Sequence, residues 1–287
     1  MLAIYKKELR SYFTSMIGYL FIGFFLAIVG VYFMAYNLQG GYSNFEYVLS
    51  SMIFVFVILV PILTMRLLAE EKRQKTDQLL FTSPLSVNKI VIGKYLAVLT
   101  VFISAMGITM FYPLILSKYG TVSFKLAYTG ILGFVLVGAA YLAIGLFLSA
   151  LFESQAIAAV VTFVVLLITY LMQGIVSLLP TSNQAAWIIF SIIALMIAVV
   201  TYFMVRNSAV AIGLGVILEA ICAIVYFVKP SLYDGLALKV FDWFSVIDRF
   251  DNFMNGILDL TGIVYYISIV VIFIFLTIQS LNKRRWR

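Results

Sequence analysis

The sequence predicts an all-α polytopic membrane protein with about eight transmembrane helices, and three observations carry that reading. Hydrophobic residues make up 64% of the 287 positions and charged residues 11%, against roughly 45–50% and 25% in a soluble domain. Mean hydropathy is +1.12, more apolar surface than one soluble core can bury. The apolar residues also fall into eight runs near the length of about 20 that a helix needs to cross ~30 Å of hydrocarbon.

The first run, Met16–Tyr36, is preceded by a segment (residues 1–15) that sets Lys6, Lys7, Glu8 and Arg10 beside Tyr5, Tyr12 and Phe13. That mixture suits a helix lying in the membrane interface with its cations at the headgroups. The run is too long for a signal peptide's apolar region and no A-x-A site follows it, so it is read as a retained span. The others are Val48–Met65, Tyr95–Leu116, Ala127–Leu151, Ala156–Leu179, Ala185–Val205, Ala209–Val228 and Thr261–Leu281. Pro61 and Pro113 are expected to kink their helices near a membrane face. In the fourth run Ala139/Ala143 and Gly145/Ser149 are small-xxx-small pairs that favour close helix packing. Only Arg206-Asn207-Ser208 joins the sixth and seventh runs, as a tight hairpin or as an interruption of one segment.

Eight crossings return the C-terminus to the side of the N-terminus. Fourteen of the 19 Lys and Arg then share that side, and five (Lys118, Lys125, Lys229, Lys239, Arg249) face the other. Such a bias sets N-in, C-in. Basic loops meeting an anionic leaflet explain the net charge of +7 without nucleic acid.

Composition also removes chemistry. With no His, His-ligated metal sites, Ser-His-Asp and Cys-His nucleophiles and imidazole relays are excluded. Cys222 is the single cysteine, so there is no intramolecular disulfide. No P-loop pattern occurs, so the chain holds no nucleotide that way.

The long cytoplasmic loop, residues 66–89, begins with a helical charge pattern, Arg66/Glu70 and Glu71/Lys75 at i,i+4. Leu79, Leu80 and Phe81 then form an apolar tip, Ser83-Pro84 breaks the helix, and Ser86 is placed to cap the next. The pattern fits a docking element for a soluble partner or an amphipathic loop resting on lipid.

Polar groups inside the spans have two readings each. Glu219 is either a substrate or proton site or a neutral carboxyl bonded to a neighbouring helix. Gln155, Thr162, Thr169, Gln173 and Ser177 fall on one helical face, lining a polar route or supplying interhelical hydrogen bonds. The outer segment, residues 229–260, interleaves Phe241, Trp243, Phe244, Phe250 and Phe253 with five Asp. It reads as an amphipathic helix on the outer leaflet, covering a pathway exit or holding an auxiliary protein. Asp248 and Asp251 are either a cation site, weakly supported by two carboxylates without further oxygen ligands, or part of a plain interfacial helix, which is the favoured reading.

Several stretches together resemble a family. Glu70-Glu71, Thr76, Leu79-Leu80-Phe81-Thr82-Ser83-Pro84-Leu85-Ser86 and Gly93-Lys94-Tyr95 are similar to the "EE-x-x-x-G-T-x-E-x-L-L-x-x-P-x-S…GKY" signature of type-2 ABC exporter permeases. Lys6-Lys7-Glu8-Leu9-Arg10, Phe13, Ser15 and Tyr19 resemble its N-terminal opening. Phe250, Phe253, Gly256-Ile257-Leu258-Asp259, Tyr265-Tyr266 and Leu281–Trp286 resemble the C-terminal pattern of the gliding-motility and copper-maturation (Nos-type) branch. Lys75 stands where the signature has Gly, Gln78 where it has Glu, and Met16 where it has Pro.

The resemblance implies a single permease domain over residues 1–287: a six-helix core plus an extra pair near 185–228, in the cytoplasmic membrane of a prokaryote. It implies a non-enzymatic subunit in a homodimer or heterodimer with a second permease, bound to a separate cytoplasmic ATPase that holds the ATP and Mg. It assigns ATPase contact to Glu70, Glu71, Arg73, Thr76, Leu79, Leu80 and Phe81, with Lys6, Lys7, Glu8, Arg10 and Phe13 in the elbow helix. Thr162, Thr169, Gln173 and Glu219 are the pathway candidates, with membrane lipid and an extracytoplasmic auxiliary protein as further partners. An ATP-independent transporter or channel is the alternative, although paired intramembrane charges and inverted repeats are absent; a tethering or signalling scaffold is another. An intramembrane protease is excluded, because Lys75 occupies the Arg position of the "EE-x-x-x-R" motif and no His is present.

Overall fold

The computed structural model describes residues 1–76, 85–179, 182–205, 208–228, 233 and 235–285, and the described chain is helical throughout its regular structure. Leu79, Leu80, Phe81, the Ser83-Pro84 break, Arg206-Asn207 and Asp234 lie outside the described residues. Helix α1 is Leu2–Thr14 and α2 is Met16–Tyr32, continued by a π-helical stretch Phe33–Gln39. Then come α3 Glu46–Thr64, α4 Ala69–Arg73, α5 Val87–Thr109, α6 Tyr112–Leu116, α7 Phe124–Leu151 and α8 Gln155–Leu178. Next are α9 Asn183–Val205, α10 Ser208–Val228, α11 Leu236–Asp242, α12 Asp248–Met254 and α13 Leu260–Arg285.

Among the described residues six helical stretches are long and apolar enough to cross a membrane: Met16–Gln39, Glu46–Arg73, Val87–Leu116, Phe124–Leu151, Gln155–Leu178 and Leu260–Arg284. Two shorter apolar helices, Asn183–Ala198 and Ile212–Val228, lie in α9 and α10. The expected elbow helix is α1, which ends at Ser15 in extended backbone. Pro113 opens α6 as a new short helix after α5 stops at Thr109, which breaks the third run near one face.

The chain divides into two compact units. In the first, Met1–Tyr170 with Val246–Arg287, α7 is the centre, packed by α3, α5, α12 and α13. Small residues make that possible. A Cβ on Gly138 would sit 2.3 Å from the Phe102 ring, and one on Gly145 2.4 Å from Thr64 Oγ1. Around α7 the rings of Phe25, Phe56, Phe102, Phe134 and Tyr141, drawn from α2, α3, α5 and α7, interlock in a buried cluster. Centroid separations run from 4.8 Å in the tilted Phe56–Phe102 pair to 6.5 Å in the stacked Phe56–Tyr141 pair, the range of aromatic contacts.

The outer segment, expected to be one amphipathic helix, is divided. Gly235, at φ +67, begins α11, and Trp243–Ile247 turn the chain before α12. In the first unit α12 is not a surface helix: Phe250 and Phe253 are fully buried, and Phe253 packs where Gly133 and Gly262 leave room. Asp259 then starts α13, accepting the Thr261 amide at 2.9 Å and the Asn252 side-chain amide at 3.1 Å.

The second unit, Leu171–Ser245, holds the antiparallel pair α9 and α10. The Trp187 and Tyr226 rings stack at 5.3 Å, and Tyr233 donates to the Cys222 carbonyl at 3.0 Å. The two helices pack along each other as separate elements.

Candidate functional site

The site forms where α3 ends and the chain turns toward α5. The phenol of Tyr12 on α1 donates to the Leu63 carbonyl at 2.9 Å, which fixes α1 under the end of α3. Burial pushes that phenol well above its ordinary pKa, so it remains a donor. On its other side α1 packs on α5, with the Tyr5 hydroxyl 3.1 Å from Thr100 Oγ1 and Ile4 against Gly93.

After four residues the chain enters α4, Ala-Glu-Glu-Lys-Arg, which is too short to be stable alone. Its N-cap residue is Leu68, which has no side-chain acceptor for the free amides of the first turn. Ser149, on α7, does this work instead. Its Oγ accepts the N–H groups of Leu68 and Ala69, each at 3.1 Å, and donates to the Met65 carbonyl at 3.2 Å.

Three successive charged residues of α4 find three different partners. Glu70 pairs with Arg66 at 2.6 Å, as the i,i+4 spacing predicts. Glu71 Oε1 lies 2.8 Å from Lys94 Nζ, and the same ammonium lies 2.9 Å from Glu8 Oε1 on α1. Lys72, buried, donates to the Ala150 carbonyl at the end of α7. Only Arg73 of the four is exposed.

Lys94 is the pivot of this arrangement. Its side chain is 1% exposed, in a helix whose other charged residue, Lys89, is exposed. An ammonium removed from water there needs paired carboxylates, and it has two from different elements. Lys7, mostly exposed, stands 4.0 Å from Glu71 and adds a second positive charge. A polar cleft of about 440 Å³ opens beside the triad, lined by Lys7, Glu8, Arg66, Glu71, Gln74 and Lys94 among others.

The expected Glu71/Lys75 pair does not form, for a conformational reason. Lys75 has φ +57, the left-handed region, and leaves the helix there. The Lys75 amide bonds to the Lys72 carbonyl at 3.1 Å and the Thr76 amide to Glu71 at 3.0 Å. Those two bonds are a Schellman ending, whose left-handed position is usually Gly. The resembled signature has Gly at this place.

The remaining candidates are more scattered. Lys6, Lys7 and Arg10 face outward from α1, while Glu8 and Phe13 are half-buried. The hydroxyls of Thr162 and Thr169 each bond a carbonyl of their own helix, and Thr169 also reaches the Tyr141 hydroxyl at 3.4 Å. Gln173 follows one turn later on α8. Glu219 accepts a hydrogen bond from Ser191 of α9 at 3.0 Å. Ser86 holds the N-cap position of α5 but its hydroxyl makes no cap bond. Among the described residues no group of His, Cys, Asp and Glu is arranged to hold a metal ion.

Sequence reasoning gave Lys94 no role in the site beyond its place in a motif. A single Lys surrounded by Ile90, Val91, Ile92 and Leu96 was the available signal, because such a charge needs a carboxylate partner. Ser149 gave no comparable signal, since its bonds join residues about 80 positions apart.

Six helical stretches long and apolar enough to cross a membrane, with the short helix α4 braced after α3, form an architecture suited to a membrane permease. The family comparison agrees: residues 2–188 match the model described as ABC-2 family transporter protein, and the chain belongs to that family. It is a multi-pass membrane protein and an ABC-2 permease, the non-catalytic membrane part of a transporter that pairs with ABC ATPases. No curated protein matches the sequence.

Proposed function

We propose that this permease is the membrane half of an ATP-driven exporter, and that residues 66–89 are the element through which a separate cytoplasmic ATPase moves the spans. The supporting observation is the bracing of α4. It is tied to α7 by Ser149 and Lys72, and to α1 and α5 by Glu71 and Lys94. A five-residue helix held from several sides can transmit a push that a free loop would absorb.

On this reading Arg73, Thr76, Leu79, Leu80 and Phe81 contact the ATPase directly. Glu70 and Glu71, whose carboxylates are already engaged, support that surface from behind. The ATPase holds ATP and Mg, and its closure shifts the permease between inward- and outward-open states. A second permease, identical or related, completes the pathway, with Thr169 and the exposed Gln173 of α8 toward it and Thr162 packed inside its own protomer.

The C-terminal resemblance, which lies beyond the matched residues, supports the gliding-motility and copper-maturation branch. It favours an extracytoplasmic auxiliary protein near residues 229–260. Basic loops on the N-terminal side support placement in the cytoplasmic membrane of a prokaryote.

The test is co-expression with the ATPase encoded beside the gene, purification through a tag on this chain, and measurement of bound ATPase and its turnover. Wild type is expected to retain the ATPase, and a Leu79→Asp, Leu80→Asp, Phe81→Asp variant that still folds in the membrane is expected to lose it. Retention by that variant overturns the assignment.

A further inference from the structure

We infer that Glu8, Lys94 and Glu71 form a positioning triad that joins α1, α4 and α5 into one lever, so that the coupling helix cannot move without the elbow helix. The inference deepens the proposed function and, in its nucleotide-driven part, rests on it. Three features separate the triad from ordinary packing. Lys94 is almost wholly buried in a helix whose other buried side chains are apolar or hydroxyl-bearing, where Met or Leu would fill the space without the cost of desolvating a charge. Its two carboxylates come from α1 and α4, elements on either side of the first hairpin in sequence. Lys94 is the buried cation that both acids share: Lys7, at 4.0 Å from Glu71, is largely in water, and the ion pair of Glu8 in the described structure is with Lys94.

The geometry ties both helices to one charge. One ammonium spans both carboxylates at 2.8 and 2.9 Å, so separating α1 from α4 takes one carboxylate away from a buried ammonium that two of them hold. Breaking one side of a buried pair is far costlier than the pair is worth as a whole. Lys94 therefore acts on transport through the position of α4, without touching cargo or nucleotide.

The test uses full-length permease with the neighbouring ATPase in lipid nanodiscs, in a Cys222→Ala background. Spin labels at Arg10→Cys and Gln74→Cys, both exposed positions, report the α1–α4 distance. Wild type is expected to give a narrow distribution that is the same nucleotide-free and trapped with ATP and vanadate. Lys94→Met is expected to broaden it, with ATPase still co-purifying and its permease-dependent change in turnover lost. Glu71→Gln, which keeps shape and hydrogen-bonding capacity, is expected to broaden it less, and Lys94→Arg to restore part of the order. A narrow, unchanged distribution in both Lys94→Met and Glu71→Gln overturns the triad. A wild-type distance that changes with nucleotide overturns the single lever. If no ATPase co-purifies with wild type, the coupling assignment fails by itself, and the nucleotide-free spectra still decide the triad.

Discussion

At the scale of single residues, the corner after α3 is governed by two positions of unequal visibility. Lys75 occupies the left-handed position that ends α4, where an L side chain costs roughly 1–2 kcal/mol. Lys75→Gly releases that strain and returns part of it to the freer unfolded chain. The expected result is a net gain of up to about 1 kcal/mol, and Lys75→Val is expected to destabilise because a β-branched residue fits this region worst. Chemical denaturation of purified permease should rank the variants Gly, Lys, Val, and any other order refutes the strain account. Ser149 is the second position. Ser149→Ala strips the first turn of α4 of its acceptor, at about 1 kcal/mol if it behaves as an ordinary N-cap. Its effect should appear as faster hydrogen exchange at the Leu68 and Ala69 amides. The Gly in the resembled signature marked the first position, because a left-handed conformation leaves a residue preference in the sequence. A serine that caps a distant helix leaves none.

At the scale of elements, hydropathy located every long helix, because a membrane span must satisfy its backbone internally and cover it with apolar side chains. The same signal failed for the short pieces. Seven-residue α12 was merged with α11 into one interfacial helix, since aromatic and acidic residues alternate similarly along both. What distinguishes them is the set of partners: Phe250 and Phe253 find glycine-lined space on α7 and α13, which no local pattern displays. The junction between α12 and α13 makes a testable claim. Hydrogen bonds from the Thr261 amide and then Asn252 hold the Asp259 carboxyl below its ordinary range. A depressed folded-state pKa contributes stability that is present above the unfolded value of about 3.9 and lost as pH falls through the folded value. Mild acidification below pH ~4 should therefore loosen the start of α13 in wild type, seen as faster exchange at Thr261 and Gly262. Asp259→Ala should show the looser state at neutral pH and no further acid step from this group. A retained acid step of the same size would assign it elsewhere.

For the whole molecule, the described contacts constrain how many times the chain crosses the membrane. Lys72 of α4 bonds the carbonyl of Ala150 at the end of α7, and Arg284 at the end of α13 lies 3.2 Å from Glu153 just beyond α7. Together with Lys94 and Glu8 these contacts put α1, α4 and the last turn of α13 on one face. Both ends of the described chain thus share a side, and the number of crossings must be even. Six long apolar stretches already satisfy that parity, so α9 and α10 either both cross or both stay on the side where α8 ends. Parity alone leaves the choice open, and charge decides it. Arg206 sits in the link between the two helices, and cationic links are retained on the cytoplasmic side. Two further spans are therefore expected, with Glu219 bonded to Ser191 inside the hairpin, where an isolated carboxylate would be costly. In a Cys222→Ala background, Ser208→Cys should react with a membrane-impermeant maleimide only from the cytoplasmic side, in inverted vesicles and not in intact cells. Labelling in intact cells would leave six crossings, with α9 and α10 as an extracytoplasmic hairpin lying against the outer leaflet. Their exposed apolar side chains would then mark a surface for lipid or a partner outside the cell, and the pathway would have to be drawn through the remaining six spans.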